Sequence, residues 1–120
     1  SAQAPEERYR FALKRIAEHT EVWGLVQEEQ SLWAVGTDAE GRDFFPIWPH
    51  PLFAEACARD EWAGFVPQQV DLEDFVEELV PALERDGQDV SLFSTPESLG
   101  HTVDTFEFFR DLEAELAQYE

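Results

Sequence analysis

Cysteine occurs once in this chain, at Cys57, so no disulfide can close within it and nothing calls for an oxidising compartment. Lysine also occurs once, at Lys14, and the other seven bases are arginines. No apolar run approaches the roughly 18 residues of a membrane-spanning helix. The stretch Ser1 to Phe11 holds no apolar core of the kind a secretory signal needs. These absences lead us to expect a cytoplasmic protein.

Basic charge is scarcer than anything else. Against 8 Lys+Arg stand 27 Asp+Glu, a formal charge of −19 on 120 residues. The imbalance is uneven: residues 1–60 carry 11 acids and 6 bases, whereas residues 61–120 carry 16 acids and 2 bases. Such a field repels nucleic-acid phosphates and anionic membranes, and it attracts basic proteins and cations. The expected partner is therefore a basic protein, with no nucleic acid and no membrane. An Arg-biased bacterial genome accounts for the scarcity of lysine, and adaptation to high salt is the other reading left open.

What the chain does have is the material of a core. Hydrophobic residues make up 43%, including 4 Trp, 10 Phe and 2 Tyr, whereas disordered acidic segments are poor in aromatics. A single domain over residues 1–120 fits that length. Pro5 with Glu6 and Glu7 opens a first helix. Tyr9, Ala12, Leu13, Ile16 and Ala17 form its apolar stripe, and Glu6–Arg10 and Lys14–Glu18 are spaced to pair along it. Three aromatic runs, Glu21–Val26, Ser31–Val35 and Asp43–Trp48, lie between polar turns and predict an antiparallel three-strand meander. Pro46 cannot donate to a ladder, which places it at an edge or a bulge.

Pro49-His50-Pro51 introduces a second helix, Leu52 to about Arg59, with Phe53, Ala56 and Cys57 as its buried side. A strand over Gly64–Val70 follows. Asp71 then caps a helix whose inward residues are Leu72, Phe75, Val76, Leu79, Val80 and Leu83. Pro81 predicts a kink in it and Asp86-Gly87 a stop. A strand over Val90–Phe93, a loop over Ser94–Gly100 and a last helix from about Asp104, with Phe109, Leu112, Leu116 and Tyr119 on one side, complete the chain. The order α-βββ-α-β-α-β-α predicts a single α+β domain with a mixed sheet, the meander supplemented by strands alternating with helices.

Glu21-Val22-Trp23-Gly24-Leu25, Trp33-Ala34, Phe45-Pro46-Ile47-Trp48-Pro49-His50, Phe53-Ala54 with Ala56-Cys57, Trp62, Leu72–Phe75, Pro81, Leu83 and Gly87 follow a family's running pattern. Over residues 8–116 the chain resembles the bacterial domain of unknown function 2750 family. The resemblance implies small, soluble, mostly bacterial stand-alone proteins, with no established activity, cofactor or catalytic residue to carry over. The element order is also similar to the N-terminal domain of the enhanced serine sensitivity protein family, a likeness of architecture alone.

Two places invite a site. Trp48, His50 and Trp62 form a candidate ligand pocket at a strand-to-helix junction, where His50 acts as donor or base, or else merely caps the helix. Cys57, among Ala54, Ala56 and Ala58, reads as a buried inert thiol. His19, His50, His101 and Cys57 lack metal-ligand spacing. There is no phosphate loop, calcium loop or Ser–His–Asp pattern, so no catalytic residue, cofactor or metal is expected.

The second place is a candidate acidic interaction face. Asp71, Glu73, Asp74, Glu77 and Glu78 on one helix join Asp104, Glu107 and Asp111 on the last if the two helices are neighbours; otherwise they are solvated faces. The leading expectation is a monomeric, non-enzymatic acidic module that docks a basic partner, as a regulator or an immunity-type protein does. The alternative is a small ligand-binding protein or enzyme using a pocket near Trp48, His50 and Trp62.

Overall fold

The computed structural model of the chain describes residues 4–119. Residues 1–3, on which part of the signal-peptide reading rests, and Glu120 lie outside the described residues. Helix α1 (Pro5–His19) starts as expected, with Pro5, Glu6 and Glu7 in its first turn and the Ala4 N–H donating to Glu7 Oε1 at 3.2 Å. Its buried stripe is the expected one, with Arg8 added. The helix ends where Thr20 turns left-handed at φ 55°.

Strand β1 (Glu21–Gln27) pairs antiparallel with β2 (Leu32–Trp33), matching Val26 to Trp33. The predicted second run then divides. Ala34 donates its N–H back to Leu25, and the chain crosses to β3 (Gly36–Thr37), which pairs antiparallel with β4 (Asp43–Ile47). Gly36 permits the crossing because the Phe44 ring lies where any Cβ would stand. The meander is thus shared between two sheets. One is β2-β1-β5, with β5 at Val66–Asp71; the other is β3-β4-β6-β7. A backbone bridge joins the two sheets where Trp23 and Trp48 exchange both hydrogen bonds, at 2.9 and 2.8 Å.

The four-stranded sheet is the predicted mixed one. β6 (Asp89–Leu92) runs parallel to β4 and antiparallel to β7 (His101–Asp104). β7 falls in a segment expected to be loop and helix entry; four residues are too few to show an alternation. Pro46 is not on an edge strand. It lies between β3 and β6 in sheet order, but β3 pairs only with Asp43 and Phe44, so no ladder reaches Pro46 on that side.

Helix α2 (Pro51–Ala56) buries Ala54, and Cys57 beyond its end, while Ala56 is exposed and Phe53 is 38% exposed. The expected inward residues Phe53 and Ala56 lie off the buried side because the helix is only a turn and a half long. Helical residues 72–85 comprise α3 (Leu72–Asp74), a π-helical stretch (Phe75–Leu79) and α4 (Val80–Arg85). Pro81 accounts for the π turn: it has no N–H to offer Glu77, and its ring crowds that carbonyl, so the ladder widens one turn earlier and Val80 donates to Phe75. Helix α5 (Thr105–Leu116) buries Thr105, Phe108 and Leu112. Phe109 and Leu116 are half-buried and Tyr119 is 56% exposed, so the buried stripe is centred one residue earlier than predicted.

Helices α1 and α5 pack together against β6 and β7, α4 packs on α5, and α2 packs against β1 and β5. The continuous core holds Ile16, Leu25, Ile47, Trp48, Phe75, Val90, Leu92, Phe108 and Leu112. Each such large side chain gains about 1.5–3 kcal/mol from leaving water. The fold is α+β. Among the described residues no helix is long and apolar enough to cross a membrane.

Candidate functional site

The three-stranded sheet has one face on which β1 contributes Val22, Gly24 and Val26 and β5 contributes Val66, Gln68 and Val70, as the pairing register and side-chain alternation dictate. Gly24 leaves a gap on that face, and the Trp33 indole fills it: a Cβ on Gly24 would stand 2.9 Å from Trp33 Cζ3. Trp33 is held half-buried, its ring edge-on to Phe45 with centroids 5.8 Å apart. Opposite Trp33, the chain leaves β5 at Asp71 and enters the helical stretch. Asp71, Asp74 and Glu78 are spaced three and four apart, so they share a helical face, and that face turns toward the sheet.

Between these walls lies a groove of about 670 Å³. Val26, Trp33, Val70 and Leu79 give it an apolar floor, and Glu28, Asp71, Asp74 and Glu78 put carboxylates on its walls. No Lys, Arg or His is among its lining residues. Asp71 is partly engaged, accepting the Glu73 N–H at 3.2 Å as the helix cap. None of the four forms a salt bridge among the described residues.

The predicted acidic face is therefore divided. Asp71, Asp74 and Glu78 line the groove, while Glu73 lies in a separate hollow with Val76 and Leu116, and Glu77 is exposed. On α5, Asp104 is the N-cap, accepting the Glu107 N–H at 2.8 Å, and Asp111 accepts the Tyr9 hydroxyl at 2.7 Å. Glu107 is half-buried. Lys14 reaches across to Glu115 at 3.5 Å instead of pairing with Glu18 along its own helix. Lys14 thus offsets part of the α5 charge, whereas the four groove carboxylates have no ion-pair partner among the described residues.

Trp48, His50 and Trp62 are not gathered into one cavity. Trp48 is fully buried and its Nε1–H donates to the Ser94 carbonyl at 2.9 Å. His50 is the α2 N-cap, its Nδ1 accepting the Leu52 N–H at 3.1 Å. Trp62 packs edge-on to Trp48 at 6.1 Å and donates to the Val35 carbonyl at 3.1 Å. It does line a cleft of about 370 Å³ with Cys57, Ser94, Thr95 and Arg59, from which His50 is absent. In that cleft the Cys57 thiol donates to the Ser94 carbonyl at 3.3 Å, and burial raises its pKa above the usual thiol range. Among the described residues no three His, Cys, Asp or Glu side chains are grouped to hold a metal ion.

Sequence reasoning missed Glu28 as a member of a site and did not set Trp33 apart from the other three tryptophans that could line a pocket or an interaction face. Glu28 reads as one acid in a polar turn, and Trp33 as one of several aromatics. Only the short β2 pairing sets them across from Asp74 and Glu78. Gly24 inside a strand was the available signal, since an interior strand glycine marks a close approach.

No curated protein and no solved structure gives a significant match to the chain, so nothing supports the likeness to the enhanced serine sensitivity protein. A family model described as "Protein of unknown function (DUF2750)" matches residues 9–112, a span running from the buried stripe of α1 to the core-facing Leu112 of α5. The match takes in both sheets and both walls of the groove, and the chain belongs to the DUF2750 family.

Proposed function

We propose that this protein is a non-enzymatic acidic module that docks a basic protein, in the manner of a regulator or an immunity-type inhibitor. One observation carries the reading: the groove of about 670 Å³ joins an apolar floor to four carboxylates with no base among its lining residues. Opposed charge steers encounter and sets specificity, while the apolar floor supplies contact area. A small-molecule site at Trp48, His50 and Trp62 has less support, since His50 Nδ1 is taken by the Leu52 N–H and Trp62 faces a cleft that His50 does not reach.

Docking of this kind weakens with salt, because screening shortens the reach of exposed charges to about 10 Å at 0.1 M. The test is retention from a native lysate on the immobilised protein at low and moderate salt, with the retained protein identified. A partner of net positive charge, released as salt rises, is expected. Recovery of no partner, or retention indifferent to salt, removes the reading.

A further inference from the structure

We infer, resting on that reading, that what enters the groove is an arginine side chain of the basic partner, its guanidinium lying between Trp33 and the wall formed by Asp74 and Glu78. The groove is an uncovered part of a sheet face and is not merely a run of acids on a helix. Its volume of about 670 Å³ lies within the roughly 300–1,000 Å³ that encloses a sizeable ligand, and it admits one arginine with its flanking residues. The floor and the walls ask for two things at once. Val26, Trp33, Val70 and Leu79 favour an apolar or planar surface, while Glu28, Asp71, Asp74 and Glu78 favour a cation.

A guanidinium meets both demands. It is planar, stacks on aromatic rings, is weakly hydrated, and presents parallel N–H groups to carboxylates. A lysine ammonium is strongly hydrated and satisfies only the charge. A hydrated metal ion would leave the aromatic floor unused. The glycine at position 24 belongs to the same arrangement, because the close approach of Trp33 to the sheet depends on the missing Cβ.

The experiment uses three capped peptides of the same length, alternating glycine with arginine, with lysine or with serine, titrated calorimetrically into the protein at low salt. The arginine peptide is expected to bind several-fold more tightly than the lysine peptide, and the serine peptide not at all. Asp74→Asn with Glu78→Gln lowers arginine-peptide affinity by ~10-fold or more, since both charge-assisted contacts of the guanidinium are lost together. Glu84→Gln with Glu113→Gln, both exposed and outside the groove, lowers it less than ~2-fold, as distant surface charges are largely screened. Trp33→Leu removes the preference for arginine over lysine, and Trp33→Phe keeps part of it, which separates lost stacking from lost folding.

Equal weakening by the two double variants overturns the groove while leaving the basic-partner reading intact. So does equal affinity for the arginine and lysine peptides in the unaltered protein, or displacement of the arginine peptide by equimolar calcium chloride. Binding of the serine peptide as tight as the arginine peptide overturns both.

Discussion

Arg8 and Phe93, 85 positions apart in the chain, are joined by a hydrogen bond from the guanidinium Nε to the Phe93 carbonyl at 3.0 Å. The same guanidinium donates through Nη2 to Ser98 Oγ and to the Leu99 carbonyl, both at 3.2 Å. Arg8 is only 2% exposed, and Phe93 sits in the left-handed region at φ 66°. One buried cation on α1 therefore holds both ends of the loop that follows β6. Arg8→Met strands these carbonyls without a donor and is expected to cost about 2–4 kcal/mol, read by urea unfolding. A loss below about 1 kcal/mol would mean that the loop is held by its own Gly100 N–H to Ser94 Oγ bond of 2.8 Å.

Gly24→Ala tests the seat of Trp33. The new Cβ would meet ring atoms Cζ3 and Cε3 at 2.9 and 3.1 Å, so the indole must tilt away from the sheet. A loss of about 1–2 kcal/mol is expected, with a red shift in tryptophan emission as the ring gains water. Unchanged emission and stability would show that the ring does not depend on the missing side chain.

Tyr9 predicts a sensitivity to alkali. Burial first, then its hydrogen bond to Asp111 and the charge of that carboxylate, raise the hydroxyl well above the usual tyrosine range. A group whose pKa is raised on folding contributes stability that is whole below its unfolded value, near 10, and lost above it. Stability should therefore fall by about 1.4 kcal/mol per pH unit once pH passes roughly 10. Tyr9→Phe should reduce this slope, leaving the smaller alkaline loss due to Cys57, whose pKa burial also raises. In a Tyr119→Phe background, where Tyr9 is the sole tyrosine, tyrosinate absorbance should rise only together with unfolding.

Cys57 should be slow to react. Burial raises its pKa, and the thiol is engaged with the Ser94 carbonyl, so little thiolate is present at neutral pH. Modification by an aromatic disulfide reagent is expected to track the fraction of open protein and to accelerate with denaturant. Rapid stoichiometric modification of the folded protein would contradict this burial.

Sedimentation should find a monomer. Trp48 is buried and Trp23 and Trp33 are only half-buried, so the aromatic strands do not present full indole faces for pairing. Apolar side chains are exposed at several separate places, among them Phe11 and Phe53 on either side of Phe93, Leu32 on β2 and Phe106 on α5. At −19 per copy, repulsion opposes bringing two such surfaces together. A dimer that persists at low salt and is abolished by Phe53→Ser would overturn the expectation.

Much of the fold was legible because local rules act over a few residues. Pro5 with two acids, the Tyr9-to-Ala17 stripe, the Asp71 cap and the Asp86-Gly87 stop all carry their information within one or two helical turns. β7 and the division of the second aromatic run were not legible, since two- and four-residue strands owe their existence to the neighbours they pair with. The groove was half legible. The spacing of Asp71, Asp74 and Glu78 puts them on one face, but no local rule says which way that face turns.

The sequence by itself determined the sign and uneven distribution of the charge, the α+β alternation of elements, the family, and the apolar stripe on α1. Each follows from composition or short-range spacing, which survives any arrangement of the elements. Only the tertiary structure decided which charges remain unneutralised. Asp111 turned to Tyr9, Glu115 to Lys14 and Asp89 to Arg42, whereas Asp74 and Glu78 turned to a groove opposite Trp33. Interaction between charges depends on separation in space and on access to water, and packing alone set which residues became neighbours.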